Sequence, residues 1–298
     1  MKRVAVIMGG TSSERELSLR SGTAVVEGLK TAGYEVSPVV LERDGLDGLP
    51  SGIEAVFIAL HGGYGENGGV QADLDKLGVP YTGSGAAASR ITIDKIATKR
   101  VLEQAGVPTA PYEVLSRGQS ETSLPLPVVV KPPRDGSSVG VTKVSGAAEW
   151  PAALAAARAV DGQGEVLVET YVPGREWTVG VLNGAALPVV EIQAPQGWYG
   201  FQEKYTQGVT NYVFPQAEAD RPLVASCQVL ALVAFKAVGC RGVSRVDFRV
   251  APDGQPYVLE INTVPGFTAT SLLPKAAAQA GISFSALCAQ LVESAACG

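Results

Sequence analysis

Histidine is almost missing from this chain: among 298 residues there is one, His61. A metal centre built on several imidazoles is therefore excluded, and any serine–histidine chemistry would have to use that residue. Cysteine is scarce too. Cys227, Cys240, Cys288 and Cys297 all fall in the last quarter and form no Cys-x-x-Cys pair, which points to free thiols rather than a metal knot or a redox couple. Runs of Lys or Arg are lacking and the formal net charge is −5, so no nucleic-acid or anionic-membrane footprint is expected. Long apolar runs are lacking as well. Val4 to Met8 stops at Gly9-Gly10, too short for the core of a secretion signal and far too short to span a bilayer. The expectation is a cytoplasmic protein with no nucleic-acid partner and no membrane insertion, whose basic residues would bind phosphates singly, inside a cleft.

What is there is ample apolar material. Hydrophobic residues make up 46% and charged residues 18%, enough for cores in two or three domains without staples. The first 90 or so residues alternate strand and helix patterns. VAVIM and AVFIAL (Ala55 to Leu60) are continuous apolar strands, as in a parallel sheet covered on both faces. Between them a helix is expected to run to Ala32, with Ser12 or Ser13 as cap and Glu16 completing a capping box. Residues 71–78 form a short helix. A second unit starts near Thr92: a helix from Asp94 to Gly106, the strand PVVVKP, the loop RDGSSVGV, a helix around 147–160 and the strand EVLVETYV, together a small α+β domain. The third holds strands EWTVGVL, LPVVEIQ, VSRVDFRV and YVLEIN, a helix over 216–238, and helical structure from Leu272 onward. The expected division is 1–92, 93–172 and 173–298.

The chemistry concentrates in 243–262. In VSRVDFRV the period of two places Arg245, Asp247 and Arg249 on one face; in YVLEIN it places Glu260 and Asn262 together. Asp253-Gly254 reads as a two-residue hairpin turn, which pairs Asp247 with Glu260 and Arg245 with Asn262. Two facing carboxylates repel. A hard cation between them resolves this, and the oxygens of Asp247, Glu260 and Asn262 suit Mg²⁺, whose shell nucleotide phosphates would complete. A solvated polar strand face is the plainer alternative, but it leaves the convergence of an arginine, two acids and an amide unexplained.

Other motifs are weaker alone. Gly136, Ser137, Ser138 and Gly140 form a loop able to close over phosphates, or an ordinary turn. Lys131 ends an apolar strand, a costly placement outside a cleft. Lys95 is either a second phosphate contact or an exposed helical lysine. Glu169 and Glu176 suit an adenosine's neighbourhood and a solvated surface equally well. Glu14 sits at a helix N-terminus, where it compensates the dipole or holds an ammonium. His61 ends a strand at the edge where open α/β sheets bind ligands. Gly266 offers an N–H to an oxyanion. Ser271 and Leu272 begin a helix whose N–H groups suit a carboxylate or serve as a plain cap.

In order along the chain, MGGTSSERELSL, FIALHG, YTGSG, Asp94-Lys95, VVVKPPRDGSSVGV, EKYTQG, GVSRVDF and LEINTVPGFTATSL resemble the D-alanine–D-alanine ligases of the ATP-grasp superfamily over essentially the whole length. The resemblance implies an ATP-grasp fold of three domains, the first a parallel-sheet, Rossmann-like one. It also implies an ADP-forming carbon–nitrogen ligase that makes D-alanyl-D-alanine for peptidoglycan through a D-alanyl phosphate. By position, Asp247, Glu260 and Asn262 would hold two Mg²⁺ ions, with Mn²⁺ able to substitute. Lys95, Lys131 and the 136–140 loop would contact ATP phosphates; Glu169 would lie near adenine and Glu176 near ribose. Glu14 would take the first D-alanine's ammonium in a network with Ser137 and Tyr205, and His61 would lie near that substrate's carboxylate. Lys204 would sit between the transferred phosphate and the second substrate. Arg245 and Gly266 would stabilise the oxyanion, and Ser271 and Leu272 would take the second carboxylate. Thr170 stands where some members carry lysine; its contact to adenine is expected through backbone. The expected assembly is a homodimer. Ligases for D-lactate or D-serine are the nearest rivals, and Tyr205 favours the D-alanine acceptor. A non-catalytic nucleotide-binding module is the rival from another class, and the intact Arg245, Asp247, Glu260 and Asn262 set argues against it.

Overall fold

The structure, a computed structural model, describes residues 2–136, 138–194 and 210–298. Its N-terminal sheet is parallel, in the order β2 (Glu35–Leu41), β1 (Arg3–Gly9), β3 (Ala55–Ile58). Apolar side chains run unbroken along β1 because both of its faces are covered. On one side Val4, Val6 and Met8 pack with Val25, Val26 and Leu29 of the helix Arg15–Thr31 and with Leu287, Leu291 and Val292 of the last helix, Phe284–Glu293. On the other, Ala5 and Ile7 meet Val70, Leu74 and Tyr81. The end of the chain thus closes the core opened by its beginning. β2 escapes the sequence pattern because Pro38 interrupts it; a proline is tolerated there since β2 lies at the sheet edge.

The expected capping box at the first helix does not form. Glu14 is the N-cap residue and its side chain makes no cap bond. Ser12 is drawn elsewhere: its hydroxyl donates to the His61 carbonyl at 2.6 Å and accepts the Glu14 N–H at 3.2 Å, tying the two strand-end loops together. A helix not anticipated, Ala86–Ile93, precedes the expected Lys95–Gln104. Between them Asp94 caps the latter by accepting the N–H groups of Ile96 and Ala97.

The middle of the chain forms an antiparallel sheet, β4 (Tyr112–Leu115), β7 (Val166–Thr170), β5 (Val128–Lys131), β6 (Thr142–Val144), backed by the helix Trp150–Val160. The third sheet runs β11 (Asn211–Val213), β10 (Val190–Gln193), β8 (Arg175–Leu182), β12 (Val243–Val250), β13 (Pro256–Asn262), with β9 (Ala185–Ala186) beside β8. Trp177, Val179 and Val181 of β8 and Val246 and Phe248 of β12 bury one face against the helix Arg221–Ala237.

The β12–β13 hairpin carries a correction. Near the turn, Val250 faces Pro256 and Phe248 faces Val258, and Ala251 N–H donates to Gln255 O, so the loop is longer than Asp253-Gly254 alone. A bulge at Leu259 adds one residue to β13 and restores the expected register, so Asp247 does face Glu260 and Arg245 does face Asn262. The candidate four meet as expected, through two offsetting departures. No helix among the described residues is long and apolar enough to cross a membrane, and all four cysteines are free.

Candidate active site

A cleft lies between the two antiparallel sheets, lined by Lys131 and Glu169 on one side and by Asp247, Arg249 and Glu260 on the other. Its wall on the smaller sheet is built by the pairing of β5 with β7, where Val129 faces Glu169. That register puts Lys131 and Glu169 on one surface. Both are buried, so the surface-acid alternative for Glu169 does not hold. Glu169 is ion-paired with Lys131 and, at 2.5 Å, with Lys99. Burial by itself would raise the Glu169 carboxyl, but the two ammonium groups outweigh it and hold it down at about 2. For Lys99 burial is the larger influence: with repulsion from Lys131 it outweighs the attraction of Glu169 and leaves the ammonium below its ordinary value.

The facing wall comes from β12 and β13. Arg245 grips Asp247 with two bonds, Nε to Oδ1 at 2.9 Å and Nη2 to Oδ2 at 2.8 Å, and Thr178 on β8 donates to Oδ1 at 2.5 Å. Opposite, Glu260 lies 3.4 Å from Lys95 Nζ, which also donates to the Asp135 carbonyl at 2.5 Å. Lys95 is thus a buried cleft residue, not an exposed helical one. Asn262 Oδ1 accepts the Val264 N–H at 2.9 Å and turns the chain towards Gly266. Lower on the same wall Arg249 pairs with Glu176 at 3.2 Å and donates to the carbonyls of Val172 and Gly174. Two carboxylates and an amide oxygen on one strand pair form a hard-oxygen donor set that fits a divalent cation.

At the cleft's far end the glycine loop meets the N-terminal unit. A side chain at Gly136 would lie 3.4 Å from Glu66 Oε2 and 3.8 Å from Glu14 Oε2, so the loop brings both carboxylates to its backbone. A smaller recess joins Glu66 and Gly136 to Lys95, Glu260 and Asn262. His61 is buried behind it with both ring nitrogens in use. Nδ1 lies 2.9 Å from Val264 O, an acceptor, so Nδ1 carries a proton, and Nε2 lies 2.9 Å from Ser21 Oγ. Ser21 Oγ in turn accepts the Phe267 N–H at 3.2 Å. His61 therefore secures the loop carrying Gly266. A side chain at position 266 would displace the Ser271 hydroxyl: a Cβ would stand 2.8 Å from Ser271 Oγ. Ser271 is the N-cap residue of the helix Leu272–Gln279, but its hydroxyl serves Thr268, accepting that residue's N–H at 3.0 Å, and its own N–H donates to Thr268 O. Ser137, Lys204 and Tyr205 lie outside the described residues.

Known proteins resemble this chain in sequence and in fold. Residues 101–293 match the model of the D-ala D-ala ligase C-terminus, and residues 3–50 that of the D-ala D-ala ligase N-terminus. The chain belongs to the D-alanine–D-alanine ligase family. A D-alanine–D-alanine ligase of Syntrophotalea carbinolica is 45% identical over 297 residues, covering 99% of this chain and 96% of that protein. One of Bordetella avium is 44% identical, with 99% and 95% covered. A crystal structure of the Bacillus anthracis ligase superposes with a TM-score of 0.89 at 36% identity, covering 99% of this chain and 97% of that one. Another, described as complexed with ATP, does so at 0.86 and 34%. The fold is ATP-grasp, with the cleft between the two antiparallel sheets.

Within this family framework the structure adds residues that the sequence did not single out. Lys99 follows Lys95 by one helical turn, a spacing that was there to be used. Thr178 becomes visible only when β8 pairs with β12, the same pairing that sets Arg249, already placed on the polar strand face, against Glu176. Leu259 enters the cleft lining because of the bulge, and Glu66 comes from a one-turn helix with no periodicity to read.

Proposed function

We propose that this chain joins two D-alanine molecules at the expense of ATP, releasing ADP and phosphate. The observation that carries the reading is the facing of Asp247 and Glu260, each already matched to a cation, in the wall of the sheet cleft. ATP would lie between the sheets, its base and ribose near Glu169, Leu259 and Glu176, its phosphates towards Lys131, Lys95 and the 136–140 loop. Asp247, Glu260 and Asn262 would hold Mg²⁺, or Mn²⁺ in its place, which when bound neutralises charge on the phosphates.

A carboxylate is a poor electrophile, so the first D-alanine must be activated. One of its carboxylate oxygens takes the γ-phosphoryl group, ADP leaves, and a D-alanyl phosphate forms. Glu14 would hold the ammonium of that substrate. The second D-alanine, having lost a proton from its ammonium, attacks the carbonyl carbon; the tetrahedral oxyanion sits before Arg245 and the Gly266 N–H, and phosphate departs as the C–N bond is completed. The second carboxylate would rest at Ser271 and Leu272. Since the Ser271 N–H is already given to Thr268 O, its hydroxyl and the Leu272 N–H are the groups for that task. Ser137 and Tyr205 would complete the network with Glu14, Lys204 would sit between the transferred phosphate and the second substrate, and the loops 136–140 and 204–213 would exclude water. The division 1–92, 93–172 and 173–298 fits the three sheets, and a cytoplasmic homodimer in peptidoglycan synthesis fits the family.

The test is phosphate release with ATP, Mg²⁺ and D-alanine, set against L-alanine and D-lactate. D-Alanine should support release and yield D-alanyl-D-alanine. Release that is independent of D-alanine, or equal with L-alanine, would overturn the reading.

A further inference from the structure

The nucleotide reading uses Lys131 and Glu169 and leaves Lys99 without a task. Lys99 is 1% exposed, deeper than Lys131 at 7%, and it does not line the cleft. Its ammonium is ion-paired with Glu169 Oε1 at 2.5 Å and donates to Thr109 Oγ1 at 2.5 Å and Ala110 O at 3.2 Å. Thr109 is itself anchored, donating to Val258 O at 3.1 Å across to β13. Lys131 differs. Among the described residues its ion-pair partner is Glu169, and its side chain faces the cleft, with N–H bonds left for something there.

We propose that Lys99 is a positioning residue: it is the standing counter-ion of Glu169, and its charge lets Lys131 turn from that carboxylate to the phosphates of a nucleotide in the cleft. The proposal rests on the cleft being the nucleotide site. The physical reason is the cost of an unpaired buried charge. Were Lys131 the sole partner of a carboxylate as buried as Glu169, withdrawing it would strand that charge, so Lys131 would stay. With two ammonium groups on one carboxylate, one can leave. The geometry decides which: Lys99 is held by groups that cannot move, and Lys131 is open on the ligand side.

The experiment measures binding of ADP with Mg²⁺, and of adenosine, to the full chain by calorimetry. Lys99→Met should weaken ADP by at least ~10-fold and adenosine by less than ~3-fold, since the loss falls on the phosphate contact. Lys131→Met should cost ADP at least ~10-fold in the wild-type background but under ~3-fold after Lys99→Met, because Lys131 is then already held by Glu169. Adding Glu169→Gln to Lys99→Met removes the charge that demands a partner and should restore most of the ADP affinity. Lys99→Arg should retain it. A Lys99→Met protein that binds ADP as the wild type does would overturn the proposal, as would a loss that Glu169→Gln does not relieve, which would make Lys99 a packing residue. If Lys99→Met does not fold, the double variant carries the test: folded and ADP-binding supports the proposal, unfolded overturns it. Wild-type protein that binds no ADP would instead overturn the nucleotide reading beneath it.

Discussion

Gly266→Ala isolates the packing that positions the candidate oxyanion donor. The added methyl would stand 2.8 Å from Ser271 Oγ and 3.4 Å from Ser271 Cβ, so the hydroxyl must give way while the rest of the serine need not. That hydroxyl accepts the Thr268 N–H at 3.0 Å and shares a hydrogen bond with Thr268 Oγ1 at 2.8 Å. Losing both costs about 1 kcal/mol each, and the residual crowding brings Gly266→Ala to about 2–3 kcal/mol. Ser271→Ala loses the same two bonds without the crowding, about 1–2 kcal/mol. Combined, the two should cost little more than Ser271→Ala alone, because the space the methyl needs has been vacated. The coupling is then nearly the whole cost of Gly266→Ala, about 2 kcal/mol, well outside additive behaviour. Urea unfolding of the four proteins measures it, and D-alanine-dependent phosphate release shows whether the site is lost alongside. Costs that simply add, with a coupling below about 0.5 kcal/mol, would refute the close approach of Gly266 to Ser271.

Arg245→Met should leave Asp247 with Thr178 alone, facing Glu260, and lower D-alanine-dependent turnover at least ~100-fold. It should also raise Mn²⁺ affinity without nucleotide, by electron paramagnetic resonance titration; an affinity that is unchanged or falls would count against a cation between the two carboxylates. Glu169 is depressed in the fold from 4.5 to about 2, so its contribution to stability is complete above 4.5 and drains away as pH falls through 2. Glu169→Gln should therefore be less stable at neutral pH but lose less stability than the wild type across that window, and an unchanged acid limb would place the acid sensitivity elsewhere. Ser21→Ala should strip partners from the buried Phe267 N–H and His61 Nε2, at about 1–3 kcal/mol for each group left unpaired. Amide exchange at Phe267 should quicken, and protection equal to the wild type would show that the Ser21 bridge does not hold the loop.

Strand alternation made the Arg245, Asp247, Glu260 and Asn262 set legible, because a period of two assigns faces without knowledge of partners. The turn was misread, since the bulge at Leu259 has no compositional mark; Asp247 still met Glu260 because loop and bulge offset one another. β2 stayed hidden behind Pro38, whose tolerance depends on an edge position that only the assembled sheet defines. Burial of Lys95, Lys99 and Glu169 was illegible for a related reason. Each is an ordinary surface residue by type, and the partners that make burial affordable lie on other elements. His61 was the subtler case. Its place at a strand end was readable, but its bonds to Ser21 and Val264 are long-range.

The pairing of charge across the cleft also resolves how an acidic chain would receive a polyanion. The net charge of −5 belongs to the whole surface, whereas the field inside a cleft is set by the groups that line or back it. There Lys95, Lys99, Lys131, Arg245 and Arg249 face Glu169, Glu176, Asp247 and Glu260 in direct ion pairs. Asp135 lines the cleft as well, so five cations stand against five carboxylates, and Lys131 is among the cations that open to the cleft. A cleft lined with unpaired lysines would draw phosphates more strongly, but it would have to bury uncompensated charge when empty. Pairing each carboxylate keeps the empty cleft near neutrality while retaining the groups a nucleotide and its cation would need. Of the carboxylates placed for a divalent cation, Glu260 is held by Lys95, which lines the cleft; the one placed beside the base, Glu169, is held from behind by Lys99, which does not. That difference separates a pair able to exchange partners from the pair that must stay fixed.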